Sequence, residues 1–287
     1  MEPVFALLNE QQVNAYRLVL DASGIPYSVT RNPRGWVIEI PRVHRPAALE
    51  AVRLFLRENA EPAPGKKPSA IHRRKTFSAV YVVLCLVVIH GALHPGFEKK
   101  VFVEAYGADA AAILHGQLYR CTTALLFHAD WAHLASNAAG LLIFGTAVAA
   151  VAGGGVGWLL IVLCGAVGNL LTALWYGGGH LSIGASTAVF SAVGLCAAFT
   201  FNMHLGREGG LRRAWLPVAG GLALLGFMGA SPDTDLLAHL FGFASGLGFG
   251  ALFAWKVPAR LPWQVQLAAA LVLVLLVGAS WMAGLGT

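Results

Sequence analysis

From Cys121 to Gly206 the chain carries one acidic or basic side chain, Asp130. Soluble domains average about 25% charged residues, whereas this chain has 12% and is 57% hydrophobic. No water-soluble fold leaves so long a run so bare of charge. The run is several times longer than the roughly 20 apolar residues that one crossing of a bilayer needs. The chain is therefore expected to be an α-helical polytopic membrane protein. Its mean hydropathy of +0.65 agrees.

Seven membrane segments are predicted: Phe77–Leu93, Trp131–Val151, Val156–Tyr176, Ile183–Phe201, Trp215–Ala230, Asp235–Ala254 and Trp263–Met282. Seven of the eight Trp lie near their ends, where an amphipathic ring sits between headgroups and hydrocarbon. Gly153–Gly155 and Gly177–Gly179 read as turns joining adjacent segments.

Residues 1–60 have a different character, with short apolar strands alternating with amphipathic helices. Val4–Leu8, Ile25–Thr30 and Trp36–Ile40 read as strands, Glu10–Ala22 and Pro46–Glu58 as helices. The order βαββα predicts a small α+β domain, marginal in size for a core of its own, and so a candidate module for a regulatory partner. Residues 61–76 form a Pro-rich and basic linker. Six apolar segments over 77–254 follow, then a seventh segment and tail over 255–287.

Basic residues set the expected orientation. Lys66, Lys67, Arg73, Arg74 and Lys75 precede the first segment; Arg207, Arg212 and Arg213 separate the fourth from the fifth; Lys256 and Arg260 separate the sixth from the seventh. If the segments alternate, all three clusters share one side, expected to be the cytoplasm. The N-terminus is then cytoplasmic and the loop His94–Asp130 lies outside. The net charge of +6 resides in these short loops, so no nucleic-acid partner is implied. Cys85, Cys121, Cys164 and Cys196 form no CxxC pair, which excludes a zinc ribbon or disulfide framework. MEPVFALLNE lacks a basic stretch leading into an apolar core, so no cleavable signal peptide is expected. Insertion into a bacterial inner membrane fits these features.

Polar groups inside a bilayer are costly unless they have work to do. The second segment places His133 and Asn137 four residues apart on one helix face, the fourth begins at GASTAVF with Ser186, and the sixth carries His239 after Asp235. All three segments start on the same side. A Ser hydroxyl needs a base to take its proton, and a neutral imidazole serves near pH 7. An amide and an imidazole N–H on one face suit a developing oxyanion, with the Ser186 backbone N–H as a third donor. Gly242, Gly246 and Gly250 recur every four residues in the sixth segment, and Gly184, Ala188 and Ala192 in the fourth. Such smooth faces let helices pack backbone to backbone, so the fourth and sixth segments are expected to meet with Ser186 facing His239.

HADWAHLASN, GASTAVF and AHLFGFASG, in this order within about Gln117–Ala254, resemble the rhomboid family of intramembrane serine proteases. The HxxxxHxxxN pattern at His128, His133 and Asn137 strengthens the likeness. The resemblance implies a six-helix core with a Ser–His dyad opening to a water-filled cavity, and a seventh helix found in part of the family. Carried over, Ser186 is the nucleophile, His239 the base, and His133 and Asn137 the oxyanion donors. His128 is structural, and Gly184, Phe190, Gly242 and Gly246 support the site. Tyr119-Arg120 resembles the family's Trp-Arg pair in the first loop. Phe190 stands where many members have Tyr stacked on the catalytic His. Thr187 stands where many have Gly, and is expected to narrow the cavity and affect substrate choice. The implied substrates are single-pass membrane proteins cut within or near their membrane segments. The fifth segment and the loop Gly229–Asp235 would gate entry, with Phe227 and Met228 as gate residues. No metal or organic cofactor is implied.

Two other classes compete. A catalytically silent relative that binds client helices would be marked by loss of the Ser or the His, and both are present. A transporter would show inverted repeats or ionisable groups at mid-membrane, and neither is evident. The i+5 spacing of His128 and His133 lacks the HExxH pattern of a zinc site. Asn169 reads as helix–helix glue, and His90, His94, His115, His180 and His204 as interfacial residues. Asp130 and Asp235 read as helix caps.

Overall fold

The computed structural model describes residues 1–59, 76–93, 97–204, 210–228, 235–256 and 261–286. Residues 61–75 of the predicted linker, residues 229–234 of the predicted lid, His94, Arg207 and Arg260 lie outside the described residues. So do the side chains of Arg212, Met228 and Lys256. The chain divides into two compact units, Met1–Lys67 and Pro68–Thr287.

The first unit has the expected βαββα order: β1 (Glu2–Leu8), α1 (Glu10–Ala22), β2 (Ser28–Asn32), β3 (Gly35–Ile40) and α2 (Arg45–Glu58). The sheet is antiparallel in the order β1-β3-β2. Asn9 opens α1 with a capping box shared with Gln12. Val13, Tyr16 and Leu20 of α1 and Ala48 and Val52 of α2 pack on Ile38 and Ile40. β2 starts three residues later than the sequence predicts. The Ile25 N–H is bonded to Leu20 O at the end of α1, and Pro26 has no N–H for a ladder. On α2, Leu49 and Leu54 are exposed, and Ala48 and Val52 form the buried stripe.

The second unit is a helical bundle. It opens with α3 (Ser78–Leu93), α4 (Phe97–Tyr106), the short strand β4 (Ala108–Asp109), α5 (Ala110–Leu114) and α6 (Arg120–Thr123). Next come α7 (Trp131–Gly140), a π-helical turn over Leu141–Gly145, α8 (Thr146–Ala152) and α9 (Gly154–Tyr176). The short strand β5 (Leu181–Ser182), α10 (Ser186–His204), α11 (Gly210–Met228), α12 (Leu236–Lys256) and α13 (Trp263–Leu285) complete it. Each predicted apolar segment coincides with helix. Among the described residues, five runs are long and apolar enough to cross a membrane: Trp131–Ala152, Gly154–Tyr176, Ser186–His204, Leu236–Trp255 and Trp263–Leu285. Ser78–Ala92 and Arg213–Phe227 are shorter apolar helices.

Burial ranks these spans. That of α10 is 67% buried and that of α13 is 17% buried, so α10 is the central post and α13 a peripheral one. Small residues let α10 be central. A Cβ at Gly246 would strike the Ser191 carbonyl, one at Gly242 the Thr187 carbonyl, and one at Gly194 the Phe243 carbonyl. The fourth and sixth predicted segments do pack together, as expected. The stripe on α10 differs from the predicted one: Thr187, Ser191, Gly194 and Ala198 face α12. Ala188 instead meets Gly165 of α9. Ser191 can serve as a small residue because its hydroxyl donates back to Thr187 O at 2.8 Å, leaving no unpaired group in the seam.

Contacts near both ends hold α13. The Gln266 amide donates to Ala152 O at 2.8 Å and accepts from Val156 N at 3.1 Å. Further along α13, Trp281 stacks on Tyr106 and Phe127, with centroids 4.9 and 5.9 Å apart.

Candidate functional site

The segment leading to Ser186 is held by main-chain bonds to the first loop. β4 and β5 pair antiparallel, Ala110 N–H donates to His180 O at 2.8 Å, and Gly184 N–H donates to Ala124 O at 3.0 Å. Ala185 N–H donates to His128 Nε2 at 3.3 Å. His128 Nε2 is therefore unprotonated, and the ring carries its proton on Nδ1. Asn169, read as helix–helix glue, donates to Cys121 O of α6 at 2.9 Å and so ties α9 to a short helix of the first loop. Arg120 is buried, with its guanidinium donating to Glu104 O, Gly107 O and the Gln117 side chain at 2.8, 3.1 and 2.6 Å.

Gly184 has φ +129°, a conformation that favours glycine. A Cβ there would lie 2.7 Å from His133 Cε1 and Nε2 and 3.7 Å from Asn137 Nδ2. The missing side chain is what lets the His133 ring and the Asn137 amide reach the backbone just before Ser186. α10 begins at Ser186, so the Ser186 N–H belongs to the first turn, which has no intrahelical acceptor.

α7 is capped by Asp130, whose carboxylate accepts from His133 N at 2.7 Å. His133 Nδ1 accepts from Ala129 N–H at 3.3 Å. That leaves Nε2 as the protonated nitrogen of the neutral ring, a donor. One N–H of the Asn137 amide is bonded to His133 O at 3.0 Å, and the amide has a second to offer.

α12 is capped by Asp235, which accepts from Ala238 N at 3.0 Å through Oδ1. One turn into the helix, His239 is buried and stacks on Phe190, with centroids 4.5 Å apart and planes at 23°. This is the expected ring contact, made by Phe. The His239 Nδ1 has no hydrogen-bond partner among the described residues. The Asp235 carboxylate does not supply one; its second oxygen, Oδ2, meets His180 Nε2 at 2.8 Å.

Ser186, His239, His133, Asn137, Asp130, Asp235 and His180 line one cavity of about 570 Å³. Ser186 and His239 share it without a hydrogen bond between them. Thr187 is absent from the lining and buried, with its methyl turned to Gly168 and Gly242. It packs the seam and does not narrow the cavity. Phe227 is 83% exposed on α11, away from the lining residues.

Two histidines differ from the interfacial reading. His90 is buried, edge-on to Trp131 at 4.6 Å. His180 stacks on Tyr176 at 4.0 Å and 10° and bonds Asp235. Only the Tyr176 contact is local; Trp131 and Asp235 are far in sequence from the histidines they meet, so neither partner was signalled. Asp130 and Asp235 cap their helices as expected. Among the described residues no group of three His, Cys, Asp or Glu side chains could hold a metal ion.

A bundle of apolar spanning helices that gathers a Ser, two His and an Asn from three of them around one cavity defines a multi-pass integral membrane protein with a polar site. Comparison with known proteins agrees. Residues 115–256, which carry the site, match the rhomboid domain family, and this core is a rhomboid domain. It is 29% identical over 160 residues to RHOMBOID-like protein 1 of Arabidopsis thaliana, covering 54% of this chain and 40% of that protein. It is 25% identical over 194 residues to "Putative rhomboid protease YdcA" of Bacillus subtilis (strain 168), covering 65% of this chain and 96% of that one. The chain thus spans less than half of the first relative and nearly all of the second.

Proposed function

We propose that the protein is an intramembrane serine endopeptidase that cuts single-pass membrane proteins within or beside their membrane segments. One observation carries this reading: Ser186 and His239, from different helices, line the same cavity as His133 and Asn137. In the proposed reaction the Ser186 hydroxyl oxygen attacks the scissile carbonyl carbon and its proton passes to His239. The oxyanion is held by His133 Nε2–H, the Asn137 amide and the Ser186 backbone N–H. The C–N bond then breaks, the leaving amine takes the proton from His239, and water hydrolyses the acyl-enzyme with His239 again as base. With Asp235 engaged elsewhere, the unit is a dyad. His128, Gly184, Phe190, Gly242, Gly246 and Arg120 are assigned supporting roles on the contacts described above.

We also propose a division of the chain into 1–60, 61–76, 77–254 and 255–287. The protein resides in a bacterial inner membrane with its N-terminus cytoplasmic and its site opening on the other side. The N-terminal domain takes a regulatory partner, and α11 gates substrate entry.

The test is cleavage of single-pass reporter helices in liposomes by wild type, Ser186→Ala and His239→Ala. Both variants should lose activity, the second by at least about 10²–10⁴-fold, and a fluorophosphonate should label Ser186. The missing Ser186–His239 hydrogen bond favours a second reading, a silent relative that binds client helices. Wild type that neither cleaves nor is labelled, yet retains a reporter helix, would select it.

A further inference from the structure

His180 and Asp235 are drawn to each other from two different parts of the site. His180 sits on the segment that ends at Ser186, and Asp235 heads the helix that carries His239. The Ser186 segment is bonded to the first loop on one side, through Ala110, Ala124 and His128. Toward α12, the hydrogen bond it makes among the described residues is His180 Nε2 to Asp235 Oδ2, at 2.8 Å. Both side chains are about one-fifth exposed, at 21% and 18%, and both line the cavity. Each is also fixed from behind. Tyr176, the last residue of α9, stacks flat on the His180 ring. The other Asp235 oxygen is bonded to Ala238 N, next to His239. A ring held by stacking and a carboxylate held by a cap have little rotamer freedom left to lose on meeting. The bond is therefore favoured beyond an ordinary surface pair.

We propose that the His180–Asp235 pair is a latch that holds the Ser186 segment and the head of α12 in register, making both positioning residues for the Ser186–His239 pair. The proposal rests on the protease reading for its catalytic part and on geometry alone for its mechanical part. Small displacements of reacting groups cost rate steeply, so the latch acts on kcat and leaves substrate binding in the remainder of the cavity nearly unchanged.

Side-chain swaps can separate the latch from the features beside it. His180→Phe keeps the stack on Tyr176 and removes the bond. Asp235→Ser keeps a good helix cap and is too short to reach His180. His180→Gln restores an N–H donor to the carboxylate. The full-length protein would be assayed in detergent for unfolding and in liposomes for reporter cleavage. His180→Phe and Asp235→Ser should each lower kcat by about ten- to a hundredfold with KM within about twofold. The double variant should be no worse than either, and His180→Gln should recover most of the rate.

Additive effects of the two changes on the unfolding midpoint and on kcat would overturn the latch. Coupling in unfolding with kcat unchanged would overturn its positioning role. If wild type cleaves nothing while the two changes remain coupled in unfolding, the protease reading falls and the mechanical latch stands.

Discussion

Helix α12 meets α10 through its backbone and α11 chiefly through the Phe243 ring. Along the α10 seam, Gly194, Gly242 and Gly246 leave no room for a methyl group. Along α11, the stripe Ala214, Val218, Gly221 and Leu225 is buried, and Gly221 lies against Phe243. Gly220 and Gly226 of α11 face open space. In lipid, association depends on close packing more than on apolar burial, since the tails are themselves apolar. The glycine seam therefore makes the Ser186 and His239 helices one block, and α11 leans on that block. Phe190 joins the two regimes. It stacks on His239 and lies in the same cluster as Val218 and Leu225 of α11.

The comparison breaks most decisively at Gly246. Gly246→Leu should keep α10 and α12 apart, giving no monodisperse protein by size exclusion and no cleavage. Gly246→Ala should cost about 1–3 kcal/mol through overpacking against Ser191, read from unfolding in detergent. A wild-type midpoint for Gly246→Ala would mean that the seam yields more easily than its geometry states.

Chemistry at the site should be separable from the seam. Asn137→Ala is expected to lower kcat by about 10²–10³-fold with the unfolding midpoint little changed. A matching loss of stability would assign Asn137 to packing. A subtler effect is expected from Phe243→Ala, which removes the ring that bridges α11 to α12. Hydrogen exchange should rise about tenfold, equivalent to about 1.4 kcal/mol, over residues 214–225 of α11. It should stay at wild-type levels over residues 187–198 of α10. Equal increases in both would dissolve the distinction between the two seams. The smallest change belongs to Gly220→Ala and Gly226→Ala. Each should leave cleavage unaltered and stabilise the helix by about 0.5–1 kcal/mol; lost activity in either would reveal a contact partner for this face of α11.

Periodicity was enough to place each apolar segment on a helix, because a charge-free run in lipid can satisfy its backbone in few other ways. The βαββα order of the first unit was legible for local reasons too: short apolar strands alternating with amphipathic helical runs. The spacing of Gly242, Gly246 and Gly250 identified the packing face of α12. The facing stripe on α10 lies one residue away from the Gly184, Ala188 and Ala192 that smallness alone predicts. Thr187 and Ser191 pack as small residues once Ser191 has bonded its own helix, and Thr187 is consequently in the seam and away from the cavity.

By itself, then, the sequence determined a multi-pass helical protein, the order of its elements, and the residue types able to support Ser–His chemistry. All of these follow from patterns within a few helical turns. The tertiary structure alone decided that His180 bonds Asp235, that His90 is buried on Trp131, that Trp281 stacks on Tyr106 and Phe127, and that Gly184 makes way for the His133 ring. Each joins residues whose separation along the chain carries no periodic signal. Side chains so distant meet only after the helices have packed, and packing is set by the summed shape of many neighbours rather than by any one motif.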